Sequence, residues 1–172
     1  MNTEERRLDL KRILKAAEEP ISASALAKKF SVSRQIIVSD IAIMRAAGMD
    51  IVATSRGYIL TSAAQKQGSL HTIACFHQAD RIRDELYAIV DNGCTAKDVT
   101  IEHPVYGQLT GMLELSSRLD VDNFIDKMQS SGASPLSALT DGLHLHTVSC
   151  PNNQNFEHLK QTLQEMGILL EH

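Results

Sequence analysis

His144 and His146 stand two residues apart in the run Leu143-His144-Leu145-His146-Thr147-Val148. On a strand both imidazoles project from one face, about 6.6 Å apart along the chain. One ion fits between such a pair, because zinc-class metals bind imidazole nitrogen at about 2.0–2.1 Å. The same spacing also describes a solvent-facing row on an amphipathic strand, and these two residues alone do not separate the readings. A carboxylate adds to the case. Ile82, Leu86, Ile89 and Val90 set out an apolar stripe over Asp80 to Asn92, and Glu85 falls on its edge. A partly buried carboxylate is costly unless it is paired or bound to a cation. His77, eight residues earlier, is a candidate co-ligand, and the other reading of Glu85 is an ordinary surface residue. Cys75 is close enough in sequence to replace a ligand, but a free cysteine inside a strand reads first as packing.

A second group suits a polyanion. Ser33, Arg34 and Gln35 open a helix expected over Arg34 to Ala47. In a helix-turn-helix protein the first outward residues of that helix meet base edges in the major groove. Arginine pairs bidentately with guanine and glutamine with adenine, while Ser33 caps the helix or bonds a phosphate. Lys28, Lys29 and Arg56 are candidates for phosphate contacts. The same small three-helix pattern also serves protein contacts in domains that bind no DNA. Charge is divided unevenly: residues 1–60 carry a net +3 and residues 61–172 a net −7, within a total of −4. Only the first segment suits nucleic acid.

These groups need elements to hold them. Leu10, Ile13, Leu14 and Ala17 recur at helical spacing between Glu4 and Glu19, and Pro20 stops the pattern. Ser22 is a cap candidate for a second helix, Ala23 to Phe30, whose Leu26, Ala27 and Phe30 share a face. The third helix turns Ile37, Ile41 and Met44 inward, with Gly48 at its C-terminal cap position. Ile51 to Thr54 and Tyr58 to Leu60 flank Ser55-Arg56-Gly57, the composition of a hairpin and a candidate wing. The polar, aperiodic stretch TSAAQKQGSL reads as a linker, which places a DNA-binding domain at residues 1–62, a linker at 63–70 and a second domain at 71–172. Beyond the linker the pattern predicts a strand from Leu70 to Phe76, a helix from Asp80 to Asn92 and a strand from Asp98 to His103. Helices are expected over part of Val105 to Leu115 and over Asp122 to Gln129. An alternating strand from Gly142 to Ser149 and a helix from Asn153 to Met166 complete the series.

With 43% hydrophobic and 22% charged residues, the 172-residue chain has the composition of a folded protein. No segment nears the run of about 20 apolar residues that spans a bilayer, and the charged N-terminus does not suit a signal peptide; a cytoplasmic protein is expected. Cys75, Cys94 and Cys150 are odd in number and form no CxxC pair. They indicate neither a disulfide framework nor a zinc ribbon, and they suit a reducing compartment.

The stretch LAKKFSVSRQIIVSDIAIMRAAGMDIVATSRGYIL, with VSRQ, Asp40, AAG and RGYIL as its marks, resembles the winged-helix module of biotin-repressor-type regulators over residues 6–60. HTIACFH, ELYAIVDNG, DVTIEHPVYGQL and PLSALTDGLHLHT then make the whole chain similar to the three-histidine (3H) domain regulators. That family includes niacin-responsive repressors of genes for NAD synthesis and nicotinate uptake. The resemblance implies an α+β protein: an N-terminal winged helix-turn-helix and a C-terminal open-faced domain similar to the histidine-containing phosphocarrier fold. It implies His77, Glu85, His144 and His146 as ligands of one divalent transition metal ion per chain, whether zinc, nickel or iron. It further implies nicotinic acid as co-repressor and a homodimer on double-stranded operator DNA. His103, before Pro104, either orders a turn or lines the effector pocket, with Tyr106 beside it. Two other functions stay open at this point. One is a repressor that answers to metal alone. The other is a metal-dependent enzyme, since three imidazoles and a carboxylate also suit water activation, although no clear general base accompanies them.

Overall fold

Asn2 and Glu5 start the first helix by bonding reciprocally: the Asn2 side chain accepts from the Glu5 amide and the Glu5 carboxylate accepts from the Asn2 amide, each at 2.9 Å. The computed structural model describes residues 2–61 and 68–170. They belong to two compact units, residues 1–66 and 67–172. The expected linker lies largely outside the described residues, and its last two positions, Ser69 and Leu70, are already strand.

In the first unit, α1 (Thr3–Ala16) buries Leu10 and Leu14, one turn apart. Ser22 caps α2 (Ala23–Phe30) by accepting from the Ala25 amide, and Ser33 caps α3 (Arg34–Ala46) by accepting from the Ile36 amide. Leu26, Ile37, Ile41 and Met44 close the core with Ile51. Asp40 is buried among them, its carboxylate held by the Arg6 and Arg7 side chains at 2.6 and 2.9 Å. Strands β1 (Ile51–Thr54) and β2 (Gly57–Leu60) form the expected hairpin, with Ile51 opposite Leu60. Ile21 adds a third rung by exchanging two backbone bonds with Tyr58. Gly57 has φ +139, and a Cβ there would run into the Ile21 carbonyl, so this crossing requires glycine.

The second unit runs β3 (Ser69–Phe76), a 3₁₀ turn (Ala79–Arg81), α4 (Ile82–Asp91), β4 (Thr95–His103), β5 (Gly107–Leu115) and α5 (Arg118–Ser131). A second 3₁₀ turn (Leu136–Thr140), β6 (Leu143–Cys150) and α6 (Asn153–Glu165) follow. The strands form one sheet in the order β3-β6-β4-β5, with every pair antiparallel. Leu86 and Ile89 of α4, Val121 and Ile125 of α5, and Leu159 and Leu163 of α6 pack on one face against Ile73, Leu113, Leu115 and Val148. The opposite face carries Leu70, Phe76, Leu143 and Leu145, all exposed. This is the expected open-faced α+β arrangement. Among the described residues no helix is long and apolar enough to cross a membrane.

Two expectations are overturned. Residues 107–115 are not helical: they form β5, paired in register with β4 from His103 opposite Gly107 to Asp98 opposite Met112, with a shift before Ala96 opposite Leu115. The turn decides this. His103 Nδ1 accepts from the amides of Val105 and Tyr106, and Gly107 takes φ +72, so the chain doubles back and the edge of β4 captures the next segment. The cysteines also differ from expectation, because Cys94 and Cys150 form a disulfide. They are 56 residues apart in sequence, but the pairing of β4 with β6 brings their Cα atoms to 4.4 Å.

Candidate metal centre

Strand alternation turns His144, His146, Val148 and Cys150 toward the helices and leaves Leu143 and Leu145 outside. The two histidines are 3% exposed, which removes the solvent-facing row as an explanation of their spacing. In the β3–β6 register Cys75 lies opposite His144 and Ile73 opposite His146. His77 follows β3 immediately and is buried as well. Beneath them, α4 supplies Glu85. It does not sit at the rim of the stripe but is 2% exposed, among the most buried large side chains in the described residues.

The carboxylate is the centre of the cluster. His77 Nε2 is 2.7 Å from Glu85 Oε2, His144 Nε2 is 2.9 Å from Oε1, and His146 Nε2 is 3.3 Å from Oε2. Neighbouring rings meet edge to face, at 4.8 Å for His77 with His144 and 5.0 Å for His144 with His146.

The opposite nitrogen of each ring explains what the site requires. His77 Nδ1 donates to the Gln78 carbonyl at 2.8 Å, His144 Nδ1 to the Gly142 carbonyl at 2.8 Å and His146 Nδ1 to the Asp98 carbonyl at 2.6 Å. A carbonyl only accepts, so each Nδ1 carries the proton, and a neutral ring then presents the bare lone pair of Nε2. Three lone pairs thus converge on a carboxylate with no donor among these four side chains, the neighbouring Cys75 thiol being the group that donates to Glu85. Positive charge must complete the cluster, either as extra ring protons or as a metal cation. The pKa directions agree. Burial disfavours charge on His77 and His146, yet the Glu85 carboxylate outweighs it and raises both. Burial likewise opposes ionisation of Glu85, but the three imidazoles hold it well below the ordinary carboxylate range. The residues fit a divalent ion: imidazole and carboxylate donors suit zinc, nickel or iron, and carbonyl-anchored Nδ1 atoms are the usual outer partners of metal-bound histidine.

Some contributors were not legible as functional. Asp98, beside an irregularity in the β4 register, orients His146 through its carbonyl and accepts from the Thr147 amide through its side chain. Nothing in the local sequence marks it. Cys75, read as packing, has its sulfur grouped with ligand atoms of Glu85 and His144, all within 4.8 Å of one another. Burial first, and then the adjacent Glu85 charge, push its thiol above the ordinary range.

The other sequence candidates have definite places. Lys28, Lys29, Arg34 and Gln35 are exposed at the end of α2 and the start of α3. The Ser33 hydroxyl is engaged as the α3 cap, and Arg56 is ion-paired with Glu19 at 2.8 Å. His103 holds the β4–β5 turn, with the exposed Tyr106 ring against it at 5.1 Å.

Known proteins place this architecture. Residues 6–59 match an HTH domain family and residues 70–172 match the 3H domain family. The chain belongs to the 3H-domain transcription repressors. It is 46% identical to the transcription repressor NadR of Bacillus subtilis (strain 168), over 91% of this chain and 88% of that one. It is 41% identical to the probable transcription repressor NiaR of Thermotoga maritima, over 98% of this chain and 95% of that one. The resemblance to niacin-responsive repressors therefore holds at the level of family, and the chain is a DNA-binding regulator rather than an enzyme. In such a 3H-domain repressor the buried histidine cluster belongs to the half of the molecule that does not carry the helix-turn-helix.

Proposed function

We propose that this repressor acts in the cytoplasm on genes for NAD synthesis and nicotinate uptake, with nicotinic acid as co-repressor and one divalent transition metal ion bound by His77, Glu85, His144 and His146. The observation that carries the metal is the convergence of three buried imidazole lone pairs on one carboxylate. Such an ion supplies a positive centre able to take the pyridine nitrogen of the vitamin in an open coordination position. The residues of the chain hold the ring tautomers, exclude water and fix the carboxylate beneath them.

The DNA-reading half, residues 1–62, presents Arg34 and Gln35 to base edges and Lys28 and Lys29 to phosphates. A homodimer on a two-fold-related double-stranded operator suits helix-turn-helix geometry. Regulation requires that nicotinic acid bind the DNA-competent arrangement more tightly than the other. A coupling of about 1–3 kcal/mol gives a change of about 5- to 150-fold in operator affinity.

Fluorescence anisotropy on promoter DNA, with and without nicotinic acid, before and after chelation and metal replacement, tests this reading. Tighter binding that needs both vitamin and metal supports it. Binding that follows metal but ignores nicotinic acid makes the protein a metal-responsive repressor instead. The same titration with His146→Ala, which removes one ligand, is expected to lose the response to the vitamin.

A further inference from the structure

The cluster contains one potential donor that the four-ligand description leaves out. Cys75 is fully buried, lies opposite His144 in the β3–β6 register, and turns its sulfur toward Glu85 and His144, with the three ligand atoms within 4.8 Å of one another. We propose that Cys75 is a further protein donor to the metal ion, as a thiolate, so that this site is a mixed sulfur, nitrogen and oxygen centre. The inference rests on the metal-binding reading above.

Charge favours it. A divalent ion held by neutral imidazoles and Glu85 alone leaves one positive charge in a site where His77, Glu85, His144 and His146 are at most 5% exposed. Uncompensated charge at that depth is costly. A thiolate brings the group to neutrality. The step balances without an electron-transfer partner: the Cys75 S–H bond breaks, a sulfur–metal bond forms, and the proton leaves to solvent. Position favours it as well. Cys75 and His77 are two residues apart on β3 and its immediate extension, as His144 and His146 are on β6, so donors on neighbouring strands lie above Glu85. Sulfur also changes which ions the site prefers. A soft donor favours zinc over the harder manganese or magnesium.

Cobalt(II) loaded into the chelator-treated full chain provides the test. Visible d–d bands report that the ion is bound by the protein. An intense near-ultraviolet thiolate-to-cobalt charge-transfer band reports sulfur in its coordination. Both are expected in the unaltered chain. Cys75→Ser should keep the visible bands, lose the charge-transfer band, and bind zinc at least about ten-fold more weakly, a loss that even outer-shell substitutions reach. Visible bands without charge transfer in the unaltered chain overturn the role of Cys75 and leave the metal reading intact. Absence of both overturns the metal reading and this inference with it. X-ray absorption on the zinc-loaded unaltered chain needs no variant: a sulfur scatterer at about 2.3 Å is expected, and a shell of nitrogen and oxygen only overturns the proposal.

Discussion

His77 and Glu85 meet at 2.7 Å, Nε2 to Oε2, while the other ring nitrogen of His77 donates to the Gln78 carbonyl. The second bond gives the first its meaning. With Nδ1 committed as a donor, the His77–Glu85 contact is attractive only when a ring proton or a metal supplies positive charge. His144 and His146 repeat the arrangement against the same carboxylate.

Glu85→Gln separates fold from metal. The amide matches the carboxylate in shape and its NH2 can donate to unprotonated Nε2 atoms on one side, while its oxygen still faces a lone pair on the other and the charge is lost. Chemical denaturation of the metal-free variant is expected to show a loss of about 1–3 kcal/mol, the cost of one buried polar group left unsatisfied, with the fold retained. Its metal content after loading and dialysis should fall to background. In the parent, zinc or nickel at about 100 times its dissociation constant should add about 2.7 kcal/mol of stability, and chelation should remove it. Metal retained at parental levels by Glu85→Gln contradicts the ligand set.

Asp40 makes stability depend on acid. Burial disfavours its charge, but the bonds from Arg6 and Arg7 outweigh burial and lower its pKa. A carboxylate lowered on folding contributes stability that is complete above its unfolded value and is lost as pH falls through the folded value. Denaturation measured between neutral pH and strong acid should therefore show a loss that Asp40→Asn flattens. At neutral pH, Asp40→Ala leaves the Arg6 and Arg7 charges without their carboxylate and is expected to cost about 3 kcal/mol.

Arg34 and Lys28 should fail differently on DNA. If Arg34 reads a guanine, Arg34→Ala costs about 1–3 kcal/mol on operator DNA and relaxes the preference at one base pair. Lys28→Ala should weaken all sequences alike and reduce the slope of log affinity against log salt by about 1. Equal losses from both variants on operator and random DNA would remove Arg34 as a base reader.

Cys94–Cys150 closes a long loop across the second unit. Removing such a cross-link enlarges the unfolded ensemble, so reductant, or the double substitution to serine, is expected to cost about 2–4 kcal/mol. Thermal unfolding with and without reductant checks it. An unchanged midpoint, with both thiols titrating freely in the oxidised sample, would show that the bond does not form in solution.

Local chemistry determined much of this protein from sequence alone. The faces of α1 to α3, the Ser22 and Ser33 caps, the β1–β2 hairpin and the shared face of His144 and His146 follow from periodicity and turn residues, which act over a few positions. Tertiary structure decided which face of β6 turns inward, and with it that the histidines are buried rather than a wet row. It also set Glu85 beneath them instead of at a rim, placed Cys75 opposite His144, and brought the Gln78, Gly142 and Asp98 carbonyls to the three Nδ1 atoms. The β5 strand and the Cys94–Cys150 bond likewise depended on β4 finding partners on both sides. The reason is common to all of these. Strand register is fixed by hydrogen bonding between segments far apart in sequence and by the burial of one whole face of the sheet, and no local window contains that information.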